Sequence, residues 1–173
     1  RPLPKLVYVV PNFQNPTGVT LPRGRRERLL ELAEEYDLLV LEDDAYGDLR
    51  YDGEDVPPLA ALDDAGRVIR VGTFSKTIAP GVRTGWAVAH EAVAAQLART
   101  NAGGPNTFTR GVVARFCEDG HLDARLPELR SAYAERRDHM LASLAEHLPE
   151  EADWTEPAGG FFIWVTLPEG LDA

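Results

Sequence analysis

Gly72-Thr73-Phe74-Ser75-Lys76-Thr77-Ile78-Ala79-Pro80-Gly81-Val82-Arg83-Thr84-Gly85-Trp86 is the stretch on which the reading of this chain turns. It holds one lysine in a turn rich in Ser and Thr, an arginine seven residues later, and glycines on both sides. Just before it, Arg67-Val68-Ile69-Arg70-Val71 is rich in β-branched residues and reads as a buried strand. A lysine in a polar loop is ordinary by itself. Here a strand delivers it to a polar turn, and two earlier segments repeat that arrangement.

The first of these is Leu6-Val7-Tyr8-Val9-Val10, a continuous apolar run suited to a strand buried on both faces. It runs into the turn Pro11-Asn12-Phe13-Gln14-Asn15-Pro16-Thr17-Gly18. A helix is predicted from near Pro22, since Leu29, Leu32, Ala33 and Tyr36 fall at i, i+3, i+4 and i+7. Leu38 to Leu41 is the second strand, ending in Glu42-Asp43-Asp44-Ala45-Tyr46-Gly47-Asp48. A loop through Pro57-Pro58 to Gly66 leads to the third strand, Val68 to Val71, and Gly85 to Ala89 reads as a short fourth. Strands alternating with helical connections predict an α/β fold of three layers, α/β/α, with a largely parallel sheet. Ligands of such sheets bind beyond the carboxyl ends of the strands. Asn15, Asp43 and Lys76 each lie just past such an end.

The second half changes character. Glu91 to Thr100 and Thr107 to Glu118 are predicted helices, separated by Asn101-Ala102-Gly103-Gly104-Pro105-Asn106. Leu126, Leu129, Tyr133, Met140, Leu144 and Leu148 mark a long amphipathic helix, and Gly159 to Val165 reads as a strand. Residues 1–125 are assigned to the larger domain, and residues 126–173 to the start of a smaller α+β domain. The chain opens on Arg1-Pro2-Leu3-Pro4-Lys5 without a methionine and closes soon after a strand. Both ends are expected to be cuts within a longer polypeptide.

Composition narrows the function classes. The 173 residues are 44% hydrophobic and 27% charged, as in soluble globular proteins. The net charge of −10 argues against a general nucleic-acid binder, which needs a basic face. The one basic cluster, Arg23-Gly24-Arg25-Arg26-Glu27-Arg28, reads as a solvated helix start. Cys117 is the only cysteine, which excludes an intrachain disulfide and fits a reducing, cytoplasmic setting. No apolar run has the length of a membrane span, so no membrane partner is expected. His90, His121, His139 and His147 lack metal-ligand spacing, and Trp86, Trp154 and Trp164 are read as core residues.

Four motifs in this order resemble the class I/II aminotransferases of fold type I, which depend on pyridoxal 5'-phosphate. They are Asn15-Pro16-Thr17-Gly18, Asp43-Asp44-Ala45-Tyr46, Thr73-Phe74-Ser75-Lys76 with Arg83, and Glu156-Pro157-Ala158-Gly159-Gly160-Phe161. The resemblance covers nearly the whole chain and is strongest to the branch with 2-aminoadipate, aromatic and branched-chain aminotransferases. It implies that Lys76 forms a Schiff base with the cofactor and moves a proton from the substrate α-carbon. It implies that Asp43 pairs with the protonated pyridine nitrogen. From the residues alone Glu42 and Asp44 compete for that role, and the family's Asp-x-Ala-Tyr pattern selects Asp43. Tyr46 and Asn15 would donate hydrogen bonds to the cofactor's phenolic oxygen, and Asn15 would also reach the substrate carboxylate. Thr73, Ser75 and Arg83 would hold the phosphate, two hydroxyls and a planar guanidinium suiting a multi-oxygen dianion. Lys76, Asp43 and Tyr46 are thus the expected catalytic set.

The acidic turn lacks the alternating spacing of a calcium loop. The lysine turn lacks the Ser three residues before the lysine that a class A β-lactamase needs. The resemblance therefore predicts transfer of an amino group between an amino acid and a 2-oxo acid. It predicts a homodimer for the longer protein, with Gly103-Gly104-Pro105-Asn106-Thr107 as the candidate subunit contact. It predicts an inactive fragment, because other cofactor- and substrate-binding groups are expected outside these residues. Two other readings stay open: the effector domain of a GntR-type transcription regulator, which keeps the same lysine, and another pyridoxal-phosphate enzyme such as a carbon–sulfur lyase.

Overall fold

The structure, a computed structural model, describes residues 4–101 and 106–170. Gly103 to Pro105 of the predicted subunit contact lie outside the described residues. Four strands form one sheet in the order β1-β2-β3-β4: β1 Leu6–Val9, β2 Leu39–Asp43, β3 Val68–Thr73 and β4 Gly85–Val88. The first three are parallel, with Tyr8 opposite Leu41 and Asp43 opposite Val71, and β4 returns antiparallel to β3. The largely parallel sheet is as predicted. β2 and β3 run two residues further than the sequence pattern suggests. Asp43 and Thr73 are therefore the last residues of their strands, held in the ladder by their neighbours.

Side chains alternate across a strand, so each strand divides its residues between two faces. On one face Val40, Val68, Ala33, Leu38 and Leu59 make the core, with Val7, Val9, Leu29 and Leu30 packed against it. Helices α1 (Arg23–Glu35) and α2 (Leu59–Leu62) cover that face. On the opposite face Leu6 and Tyr8 stand 41% and 56% exposed.

Arg26 departs from the expected solvated helix start: it is fully buried. Its guanidinium donates to the carbonyls of Leu21 (2.8 Å), Pro57 (3.0 Å) and Pro11 (3.2 Å), and to Asn12 Oδ1 (2.6 Å). The planar fork of an arginine reaches several acceptors at once, which makes burial tolerable. It ties both ends of the loop after β1 to the loop before α2.

Helices α3 (Glu91–Thr100) and α4 (Thr107–Glu118) match their predicted limits. The long helix α5 runs His121–His147, five residues earlier than the apolar stripe alone suggests, with Pro127 inside it. Gly120, at φ +76°, makes the left-handed turn that ends α4 and lets α5 begin at once. The strand predicted over 159–165 shrinks to β6 (Val165–Thr166), paired antiparallel with β5 (Asp153–Trp154). Gly159 makes only an isolated antiparallel bridge with Arg50, Gly160 turns at φ +75°, and both pack on Phe13. A Cβ at either position would collide with that ring or its Cβ. The tryptophans are not core: Trp86 and Trp164 are 36% and 46% exposed.

Candidate active site

The lysine turn begins at the end of β3 and is built from short polar contacts. Ser75 N donates to Thr73 Oγ1 (3.1 Å), and Ile78 N to the Phe74 carbonyl (2.8 Å). Phe74 N donates to the Thr84 carbonyl (3.1 Å), which brings Arg83 back beside the turn that carries Lys76. Arg83 is held in the left-handed region at φ +45° and ψ +38°. Non-glycine residues persist there where the surroundings impose it, often at functional sites. Thr77 and Thr84 are buried, and Arg125 Nε from α5 donates to the Thr77 carbonyl at 3.2 Å. The backbone of the turn is thus fixed from both sides. The side chains of Lys76 and Arg83 have no hydrogen-bond or ionic partner among the described residues.

The acidic turn after β2 sorts its three acids by face. Glu42, pointing into the core, is fully buried and accepts from the N–H groups of Leu59 (2.7 Å) and Ala60 (3.0 Å). It is the acceptor for the first turn of α2, a structural role. Asp44 accepts from Asn12 Nδ2 (2.7 Å) and pairs with Arg70 (2.5 Å). Both are committed internally. Asp43 lies on the other face, and its Oδ2 accepts from the Tyr8 hydroxyl at 2.7 Å. Its Oδ1 has no partner among the described residues. Tyr46 follows on a buried backbone, its ring edge-on to Phe161 and Phe162 at centroid distances of 5.6 and 5.7 Å.

The loop after β1 closes on itself. Gly18 N donates to the Gln14 carbonyl (2.6 Å), and the amide and hydroxyl of Thr17 both donate to Gln14 Oε1 (3.0 and 2.6 Å). The Asn15–Pro16 peptide is cis. Gln14 therefore satisfies the loop from inside, which leaves Asn15 exposed at its tip.

The fourth motif clamps the other two turns. The Ala158 carbonyl accepts from Tyr51 N (2.8 Å), and Gly160 N donates to the Leu49 carbonyl (3.0 Å). Thr155 Oγ1 donates to the Thr17 carbonyl (2.9 Å), and Arg137 of α5 to the Pro157 carbonyl (3.0 Å). A Cβ at Gly18 would strike the Phe162 carbonyl. The segment 155–162 thus presses on the Asn15 loop and the Tyr46 turn together.

Asp43 and Lys76 therefore stand at the ends of adjacent strands, with Asn15 beyond the next strand along. Thr73, Ser75 and Arg83 share the lysine turn. Sequence reasoning missed Tyr8, Asn12, Arg26 and Arg70. Tyr8 carried no signal beyond its place in an apolar run. Arg26 lay in a charged cluster, where one buried member cannot be told from solvated ones. Burial pushes the Arg26 pKa down, against the attraction of Glu42 and Asp44. The hydrogen bond to Asp43 pushes the Tyr8 hydroxyl up to about 12. Among the described residues no group of His, Cys, Asp or Glu is arranged to hold a metal ion.

The polar set fits a flat, phosphorylated heterocycle: a free carboxylate oxygen, an amide, a phenol, an amine, hydroxyls and a guanidinium on one sheet edge. Comparison with known proteins points the same way. The family described as "Aminotransferase class I and II" matches residues 3–171. Aromatic-amino-acid aminotransferase 1 of Thermococcus litoralis is 48% identical over 97% of this chain and 41% of its own length. The crystal structure of kynurenine aminotransferase from Pyrococcus horikoshii, in complex with PMP, superposes with a TM-score of 0.93 at 50% identity. It covers 97% of this chain and 42% of that one. An HTH-type transcriptional regulator of Bacillus subtilis, YisV, is 35% identical over 96% of this chain and 35% of its own length. The chain thus spans about two fifths of the length of the relatives it matches.

Proposed function

The chain belongs to the class I and II aminotransferase family, and from that we propose that it carries the catalytic centre of a pyridoxal-phosphate-dependent aminotransferase. Its substrates are an amino acid and a 2-oxo acid. The observation that carries this reading is the row of polar side chains at the carboxyl ends of β1, β2 and β3, where Lys76, Arg83 and the second carboxylate oxygen of Asp43 have no partner among the described residues. Bound there, pyridoxal phosphate supplies an electron sink for the charge left at the substrate α-carbon.

The residues divide the remaining work. Lys76 Nζ would hold the cofactor covalently and, when not so engaged, would act as the base that takes the proton from the substrate α-carbon. Asp43, through the oxygen not taken by Tyr8, would pair with the protonated ring nitrogen. Tyr46 and Asn15 donate to the phenolic oxygen, and Asn15 also to the substrate carboxylate. Thr73, Ser75 and Arg83 bind the phosphate. The larger unit ends near residue 125, where the first turns of α5 lead into the smaller one. The complete protein works as a homodimer. The single cysteine of these 173 residues, Cys117, is consistent with a reducing, cytoplasmic setting.

Borohydride reduction of the loaded complete protein, followed by peptide mapping, should fix the cofactor to the peptide containing Lys76; label on another lysine refutes the assignment. The similarity to YisV favours one second reading, an aminotransferase-like effector domain of a transcription regulator. The two part on the segment that precedes these residues in the complete protein. A basic winged helix there, with ligand-dependent DNA binding and no turnover, supports the regulator.

A further inference from the structure

The polar contact nearest to Asp43 comes from a residue with no role in the mechanism above. Tyr8 and Asp43 share the face of the sheet opposite α1 and α2. Tyr8 is opposite Leu41, so Asp43 lies one same-face step further along β2. A tyrosine spans that diagonal, and its hydroxyl reaches Asp43 Oδ2 at 2.7 Å. The ring is 56% exposed, so packing does not explain its position. Its backbone, in contrast, is fixed by pairing with β2.

We propose that Tyr8 is a positioning residue that orients the Asp43 carboxylate toward the cofactor's ring nitrogen. This rests on the reading of Asp43 given above. A carboxylate turns freely about its last torsion, a broad and roughly two-fold rotation. Anchoring one oxygen leaves the other as the single acceptor with a defined direction. Glu42 and Asp44 are held by α2, Asn12 and Arg70, so with the anchor on Asp43 each of the three consecutive acids has an internal partner. The raised pKa of the Tyr8 hydroxyl is the reciprocal sign of the same bond.

The test compares two probes, pyridoxal phosphate and its 1-deaza analogue, which replaces the ring nitrogen by carbon. Dissociation constants are measured by fluorescence on the complete protein, for wild type, Tyr8→Phe and Asp43→Asn. Tyr8→Phe keeps the ring and loses only the hydroxyl; thermal unfolding of the unloaded protein verifies its fold. The expected result is pyridoxal phosphate binding about fivefold to tenfold weaker in Tyr8→Phe, with the deaza analogue unchanged. Equal losses for both probes, or no loss for either, overturn the proposal. Asp43→Asn reports on the underlying reading separately. If it leaves the preference for the nitrogen-containing probe intact, the Asp43 assignment fails and takes the Tyr8 role with it. If it abolishes that preference while Tyr8→Phe does nothing, Asp43 stands and Tyr8 alone is refuted.

Discussion

Three consecutive acids, Glu42, Asp43 and Asp44, have identical chemistry and different fates, decided by the direction of each side chain. Because a strand alternates, Glu42 enters the core and Asp43 leaves on the opposite face, and neither can take the other's part. Asp43→Asn in the complete protein should keep the fold and part of the cofactor, yet lower kcat by roughly 100-fold or more. An amide cannot balance a cationic ring, and losing a preorganised charge typically has that effect. Steady-state kinetics check it, and near-normal turnover would transfer the role to another acid. The Tyr8 hydroxyl gives a pH-dependent mark of the same site. Its pKa is raised to about 12 by the hydrogen bond to Asp43 first, then burial, then the charges of Asp43 and Tyr46. A raised pKa means that the bond contributes to stability in full below the free phenol's value of 10.0 and is lost as pH rises through about 12. Tyrosinate absorbance in Asp43→Asn should therefore show this ionisation returning toward the ordinary value, with Tyr8→Phe identifying which tyrosine moved.

The elements hold together through a few buried polar residues that serve as joints. Glu42 satisfies two N–H groups of α2, so Glu42→Ala should cost about 2–4 kcal/mol, the penalty of leaving both donors unpaired. Denaturant unfolding measures this, and Glu42→Gln, which keeps one acceptor oxygen, should lose less. Gly160 is the joint between the C-terminal segment and the Asn15 loop. At φ +75°, with Phe13 where a side chain would go, Gly160→Ala should cost at least ~1–2 kcal/mol for the left-handed backbone alone. The four strands and the helices α1 and α3 were legible because apolar alternation and helical period follow directly from which face is buried, whereas α2, one turn inside the segment read as a loop, was not. The strand after Gly159 was not, since its apolar residues answer to Phe13 and Tyr46, partners more than a hundred residues away in the chain. Arg26 was hidden for the opposite reason: its partners are backbone carbonyls, which leave no trace in residue type. The site itself was legible as motifs, while its supports, Tyr8, Asn12 and Arg70, were ordinary residues placed only by the fold.

Taken together, the described residues make a sheet with one face covered by α1 and α2 and the other open at Leu6 and Tyr8. α1 and α2 shield the core face, while Leu6 and Tyr8 on the other, and Phe108 on α4 at 79%, remain exposed. Large exposed apolar side chains of this kind suit an interface in the working protein, and β1 also offers a free strand edge among the described residues. The residues proposed to bind cofactor all stand on the rim of that sheet, so their geometry depends on whatever covers the bare face. A polypeptide limited to these 173 residues should therefore self-associate in sedimentation and bind pyridoxal phosphate weakly. Misplacing a positioning group by about 1 Å can lower a rate on the order of 100-fold, and here several rim residues would drift together. Such a polypeptide should transaminate no standard amino acid above a trace, whereas the complete protein should sediment as an active dimer. Turnover on the order of 10 per second from a monodisperse preparation of these residues alone would show that the site needs nothing beyond them.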